Sequence, residues 1–256
     1  LLLVTFRERE DQVDYARLSS VLRRVVVVDH DERRRRDPEA PRAVWESRSR
    51  AMTAAIQEAA TQYQPDLLQV EYTHMAAYRD AWPQIPAVLV EHDVTFSLHQ
   101  QLASGEFDRW RRFESRWLKS YDAVAVMSEE EKGKAVAAGA SPERTWVVPN
   151  GVDTERFQPA AEQAAGDPEI LYVGSFRHLP NMVGFEYLCR EILPRLRRRL
   201  PGVRLRVVAG PGYQKYWRGF SGGRALDAGP EARVEGFVED LAPLYRRAWA
   251  VVAPLR

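Results

Sequence analysis

Short apolar runs separated by longer amphipathic stretches set the pattern of this chain. Residues 1–5 and 25–28 are almost wholly apolar and end in polar residues, as fully buried parallel strands do. The polar segment between them, 11–22, predicts a helix. Across residues 44–63 the apolar residues Trp45, Met52, Ile56, Ala59 and Tyr63 recur at spacings of seven, four, three and four. That places them on one helix face, which Pro65 brings to an end. Residues 67–70 and 87–90 read as further strands, with a short helix over 75–82 between them. Phe107, Trp110, Phe113 and Trp117 then stand at helical spacing, a stripe suited to packing a core, before a strand over 123–126. Ser128-Glu129-Glu130-Glu131 has the form of a capping box. The serine takes the amide three residues on, Glu131 reaches back, and the helix so opened ends at Gly139.

Strand and helix alternate without hairpin signals up to Val147 and Val148, which predicts a parallel, right-handed, doubly wound sheet. Pro149 has no ladder donor, and Asn150-Gly151 supplies a turn that tolerates positive φ, so strand pairing stops there. Residues 158–168 read as a linker. A strand over 170–173 follows and is left sharply at Gly174. The next helix carries Phe185, Leu188, Ile192, Leu196 and Leu200 on one face, and Pro194 is expected to kink or split it near Leu193. Residues 205–209 form a strand with Gly210-Pro211-Gly212 as its turn, and 213–230 read as a mobile loop with one helical turn. Strands over 234–237 and 250–252 flank a helix around 242–249. The fold class is therefore α/β, as two parallel-sheet domains, 1–153 and 154–256, the second incomplete.

Composition narrows the function. With 256 residues, 45% of them apolar, the chain can bury two modest cores. The single cysteine, Cys189, excludes an internal disulfide framework and any multi-cysteine metal site, and makes the cytoplasm the default compartment. No apolar run approaches the roughly 20 residues of a membrane span, and Leu1-Leu2-Leu3-Val4 is too short for a signal peptide and meets charge at Arg7. Leucine stands first in place of methionine, and the chain stops just after an apolar strand, so truncation at both ends is expected. From Thr154 onward 16 Lys and Arg stand against 11 Asp and Glu, a balance of +5, while residues 1–153 carry 21 against 25, a balance of −4. A basic second half suits a phosphate-bearing ligand. Arg195, Arg197, Arg198 and Arg199 read as the solvated end of a helix, and Arg33 to Arg36 as a solvated loop, so no nucleic-acid partner is expected.

Ligands of open parallel sheets bind beyond the carboxyl ends of the strands. Gly174-Ser175-Phe176-Arg177-His178-Leu179-Pro180-Asn181 is such a loop. Gly174 permits close backbone approach, and the amides near residues 181–183 would face a diphosphate with the favourable end of a helix dipole. In the first half, Val90-Glu91-His92-Asp93 ends a strand, a position from which His92 can reach a ligand, with Glu91 or Asp93 setting its tautomer. No spacing suggests a metal site.

Val147-Val148-Pro149-Asn150-Gly151-Val152-Asp153-Thr154-Glu155-Arg156-Phe157 resembles the signature V-x-P-N-G-V-D-x-x-x-F that joins the halves of glycosyltransferase family 4 enzymes, which have the GT-B fold of two Rossmann-like domains. Tyr172-Val173-Gly174-Ser175 is similar to the opening of that family's donor domain, and Val208-Ala209-Gly210-Pro211-Gly212 to its next strand exit. Val234-Glu235-Gly236-Phe237-Val238 is similar to the segment lying near the nucleotide base. The resemblance covers residues 120–256 closely and the earlier part loosely. It implies retaining transfer of a sugar from a nucleotide diphosphate sugar to a glycan, lipid-linked or small-molecule acceptor, in a cleft between an acceptor-side domain, 1–153, and a donor domain, 154–256. It also implies polysaccharide biosynthesis, no metal cofactor, and a cytoplasmic protein for which peripheral contact with the inner membrane face stays open.

On this resemblance the donor-binding residues are Gly174, Ser175, Asn181, Gly210, Gly212, Phe237 and Val238, and the catalytic residues are His92 and Arg177. The sequence departs from the family pattern where an arginine one residue after the glycine and a lysine seven after it are replaced by Ser175 and Asn181, leaving Arg177 as the nearest cation. The family's Glu-x7-Glu region would fall beyond Arg256, and its first glycine-rich loop has no counterpart near residues 1–9. A GT-B-like sugar-nucleotide epimerase and a non-catalytic nucleotide-sugar-binding fragment are the alternatives, and the oligomeric state is left open.

Overall fold

The apolar runs become strands, and every strand pairing among the described residues is parallel. The computed structural model describes residues 1–7, 14–30, 36–101, 104–159 and 166–254. The chain divides into two units, 1–150 and 151–256. Much of the expected linker 158–168 and most of the Arg33 to Arg36 cluster lie outside the described residues, as do Glu8 and Arg9.

In the first unit, β1 (Leu2–Arg7) and β2 (Arg24–Asp29) pair in a separate two-stranded sheet. Where a helix was expected over 11–22, the described part is a 3-10 turn, Tyr15–Leu18, capped by the Asp14 side chain. Strands β1 and β2 are half-buried, with Val28 alone of their residues buried, which corrects the expectation of fully buried strands. Two strands gather little cover: Val4, Phe6 and Val28 pack against Met52, Ala55, Ile56 and Tyr78. The expected single helix over 44–63 is two, α1 (Arg42–Glu46) and α2 (Arg50–Tyr63). Ser49 is extended there, with its hydroxyl capping the Met52 amide at 3.2 Å, while the Tyr78 hydroxyl takes the Ser49 amide at 2.9 Å and donates to the Ser47 carbonyl at 2.7 Å. The tyrosine satisfies the peptide groups that the break frees.

A four-stranded sheet completes the unit: β3 (Leu68–Glu71), β4 (Ala87–Glu91), β5 (Ala123–Val126) and β6 (Thr145–Val147), in that spatial order. The expected helix over 75–82 is a 3-10 stretch, Thr73–Ala81. A helix not anticipated, α3 (Thr95–Gln101), precedes α4 (Phe107–Leu118), which brings Trp110 and Trp117 inward as its stripe requires. Ser128 opens α5 (Glu129–Ala138) by accepting from the Glu131 amide at 3.2 Å, and Gly139 closes it at φ +116°. The Glu131 side chain does not complete the capping box, for it turns to the Val94 amide at 3.2 Å. Neither Asn150 nor Gly151 takes a positive φ, so the missing ladder donor of Pro149 is what ends β6.

The second unit holds β7 (Glu169–Val173), α6 (Leu179–Tyr187), α7 (Leu193–Arg199), β8 (Arg204–Val208), α8 (Tyr213–Ser221), β9 (Ala232–Glu235), α9 (Ala242–Arg247) and β10 (Ala250–Val251). A π turn, Leu188–Ile192, stands between α6 and α7, so Pro194 breaks the regular ladder where the sequence placed the disruption. The mobile loop expected over 213–230 is corrected: its first nine residues are α8, held between Gly212 at φ +65° and Gly222 at φ +66°. Tyr213, Tyr216, Trp217 and Phe220 share its inner face at helical spacing and join the core of Phe176, Phe185 and Leu205. The sheet order is β10-β7-β8-β9. Successive strands after β7 are laid to one side and β10 to the other, so the topological switch point lies between β7 and β10. Among the described residues no helix is long and apolar enough to cross a membrane.

Candidate functional site

The switch point places the turn after β7 where an open sheet receives ligands. Gly174 leaves the strand with its amide on the Val208 carbonyl at 3.0 Å, and the Phe176 amide bonds the Ala209 carbonyl at 2.8 Å, so the loop is tied to the end of β8. Asn181 turns back, its side-chain amide on the Ser175 carbonyl at 3.0 Å, while the Tyr172 hydroxyl holds the Asn181 carbonyl at 2.6 Å. A Cβ at Gly174 would stand 3.0 Å from Asn181 Cγ, and one at Gly210 2.9 Å from Ser175 Oγ. Gly210 lies at φ +80°, with its amide on the Gly236 carbonyl at 3.2 Å.

The structure thus brings Gly174, Ser175, Asn181 and Gly210 together and adds Gly236. Gly212 stands apart as the N-cap of α8. Phe237 is 73% exposed, and Val238 is turned inward against the cluster of Leu171, Val208 and Leu244. The N-terminus of α6 carries no side-chain cap. Arg177 is exposed beside it and forms no ion pair among the described residues.

Residues 153–157, the second part of the joining motif, belong to this unit and are fastened to it. Asp153 Oδ1 accepts from the amides of Glu155 and Arg156 at 3.1 and 3.0 Å, Arg156 pairs with Asp240 at 2.9 Å, and the Phe157 ring meets Tyr245 edge-on at 5.6 Å. The Arg156 guanidinium holds the Asp240 carboxyl below its usual range.

In the first unit, His92 follows β4 with Nε2 2.8 Å from Glu71 Oε2, which corrects the expectation that Glu91 or Asp93 sets its tautomer. Gln69 braces the same carboxylate from Nε2 to Oε1 at 2.5 Å. Residues 69 and 71 share one face of β3, which sets the Gln69 amide beside the Glu71 carboxylate. The Tyr72 ring stacks on His92 at 4.3 Å and on His74 at 5.6 Å. Tyr72 does so from φ +68°, a left-handed conformation that is uncommon for a residue of its size. Burial lowers the pKa of His74.

Glu91, expected beside the His92 ring, is buried and takes a hydrogen bond from the Thr73 hydroxyl. Burial, with the Glu114 charge second, holds its carboxyl well above the usual range, and its Oε1 has no partner among the described residues. Glu114 of α4 is fully buried and accepts from the amides of Thr95 and Phe96 at 2.7 and 2.8 Å. Burial pushes its carboxyl up to about 7 despite those bonds. Sequence reasoning missed Glu71, Tyr72 and Glu114. The signal for Glu114 was a carboxylate four residues after Trp110 and three before Trp117, inside an otherwise aromatic stripe. Tyr72 offered no such signal, since its strain is a property of the backbone.

Known proteins share this architecture. Anabaena HepE in complex with UDP and glucose matches with a TM-score of 0.68 and 17% identity, covering 98% of this chain and 65% of that one. Sucrose-phosphate synthase from Thermosynechococcus elongatus matches with a TM-score of 0.68 and 18% identity, covering 94% and 67%. At that identity the likeness shows the fold, which is GT-B. Among curated proteins, D-inositol 3-phosphate glycosyltransferase of Mycobacteroides abscessus is 27% identical over 180 residues, 63% of this chain and 39% of that protein. A phosphatidylinositol N-acetylglucosaminyltransferase component from Arabidopsis thaliana is 31% identical over 90 residues, 35% of this chain and 19% of that protein. The chain therefore spans well under half the length of either curated relative. Residues 167–256 match the family described as Glycosyl transferases group 1. Residues 4–156, more than half of the chain, match Glycosyltransferase Family 4, and the chain belongs to that family.

Proposed function

We propose that this chain acts in the transfer of a sugar from a nucleotide diphosphate sugar to a hydroxyl-bearing acceptor, with retention at the anomeric carbon. The observation that carries the reading is the uncapped N-terminus of α6, following the Gly174 turn at the topological switch point, with Arg177 exposed beside it. The positive end of the helix dipole favours a diphosphate there. Pro180 has no N–H, and the amides of Asn181 and Met182, expected to face the diphosphate, turn instead to the His178 carbonyl at 3.1 and 3.4 Å, while Gly174 and Gly210 make room for the Asn181 and Ser175 side chains. Binding of UDP and glucose by HepE supports a nucleotide sugar as the donor class. Phe237, exposed at the end of β9, is assigned to the nucleotide base.

In the transfer, the bond between the anomeric carbon and the diphosphate oxygen breaks. The acceptor oxygen bonds that carbon on the same face, and the acceptor proton passes to the departing diphosphate. Charge gathers on the leaving oxygen, where the positive end of the α6 dipole and Arg177 stabilise it. We assign His92 to a hydrogen bond with the donor's sugar or phosphate, oriented by Glu71. Arg177→Ala tests the reading with UDP-glucose as donor. Turnover is expected to fall at least about tenfold, in line with loss of one group that stabilises developing charge. Unchanged turnover removes Arg177 from the site, and absence of both nucleotide binding and transfer in the unaltered chain overturns the function.

A further inference from the structure

Three successive amides follow His92 and Asp93, and each donates to a carboxylate on another helix. Val94 bonds Glu131 Oε1 at 3.2 Å, Thr95 bonds Glu114 Oε1 at 2.7 Å, and Phe96 bonds Glu114 Oε2 at 2.8 Å. Glu114 sits within the aromatic face of α4 with none of its surface exposed. Packing alone favours an apolar residue there, because a buried carboxylate must find hydrogen bonds to offset its lost hydration. No Lys, Arg or His of the described residues forms an ion pair with it. The titratable groups acting on this cluster are all acidic: Glu91 from β4, Glu131 from α5 and Asp93 from the loop itself. The two peptide N–H groups, with the Thr95 side chain beside them, are therefore what answers the charge of Glu114. A carboxylate that grips two consecutive amides fixes the backbone step directly after Asp93. On the other flank, Glu91 is held by the Thr73 hydroxyl.

We propose that Glu114 is a positioning residue for His92: its grip on the Thr95 and Phe96 amides fixes the turn between β4 and α3, so that the imidazole stands against Glu71 and Tyr72. The functional weight of this inference rests on the assignment of His92 to the transfer site, but the grip itself is measurable without activity. Glu114→Gln keeps the shape and turns one acceptor oxygen into a donor facing a backbone N–H. Hydrogen exchange read by nuclear magnetic resonance should show the Thr95 or Phe96 amide exchanging roughly ten- to hundredfold faster, with Leu89 and Val124 in the sheet unchanged. The His92 ring resonances should shift as its pairing with Glu71 loosens.

Where Glu114→Gln does not fold, Glu131→Gln reads the same device at Val94. In a cycle with His92→Ala, the double substitution is expected to bind UDP-glucose no more weakly than His92→Ala alone. Unchanged exchange at residues 95 and 96, an unchanged His92 ring spectrum, or effects that simply multiply would each overturn the proposal. If His92→Ala leaves binding and turnover intact while the exchange and ring results hold, the assignment of His92 fails and the positioning by Glu114 stands.

Discussion

In the second unit the turn after β7 is held by main chain and glycine, with Gly174, Phe176 and Gly210 bonded across strand ends and Asn181 folded back on Ser175. In the first unit the turn after β4 is held by carboxylates brought from α4 and α5, positions 114 and 131 in the chain. The two solutions differ in what they respond to. Main-chain bonds between strand ends carry no titratable group and tolerate no Cβ at Gly210. A buried carboxylate accepts such bonds fully only when ionised, so it ties loop order to pH.

The largest expected effect separates the two loops by pH. Burial raises the Glu114 carboxyl from the ordinary 4.5 to about 7 in the folded chain. Between those values the folded state holds a proton that the unfolded chain has lost, so the contribution of Glu114 to stability is greatest below pH 4.5, falls as pH climbs towards 7, and levels off above it. A shift of that size corresponds to about 3 kcal/mol. Denaturant unfolding across this range should show the decline in the unaltered chain and a shallower one in Glu114→Gln. Glu91 contributes in the same direction, since its carboxyl is also raised by burial. Local order at Thr95 and Phe96 should run the opposite way and improve as Glu114 ionises. A parallel trend would break the contrast.

Gly210→Ala probes the other loop. Its φ of +80° and the 2.9 Å approach to Ser175 Oγ predict a loss of about 2 kcal/mol, equal at pH 5 and pH 8 within experimental spread, because no titratable group is involved. A pH-dependent loss would show that the second loop also leans on ionisable groups. The smallest effect is expected from Arg177→Ala, an exposed change predicted to alter stability by less than about 0.5 kcal/mol while weakening nucleotide binding. A large stability loss would give Arg177 a structural role.

The same contrast explains what could be read from the sequence. The glycines at 174, 210 and 212, the strand exits and the joining motif are local features, and each strand lies within a few residues of its apolar run. The motif at 153–157 also has a structural use that its letters do not state, with Asp153 closing a turn and Phe157 packing on Tyr245. Glu71, Glu114 and Glu131 act on residues 21, 19 and 37 positions away, and nothing local pairs them with the His92 loop. Hydrophobic pattern missed α8 because its four inward aromatic residues sit beside glycines that suggest a loop. It joined α1 and α2 because the break depends on Tyr78, which is 29 residues from Ser49.

Titration of the chain with UDP-glucose, followed through backbone amide resonances, tests the central claim most directly. Binding at the switch point predicts saturable shifts concentrated at Gly174, Ser175, Arg177, Asn181 and Gly210, diminished by Arg177→Ala. Saturable shifts confined to other surfaces, or no shifts up to millimolar ligand, would contradict a nucleotide-sugar site at the turn after β7.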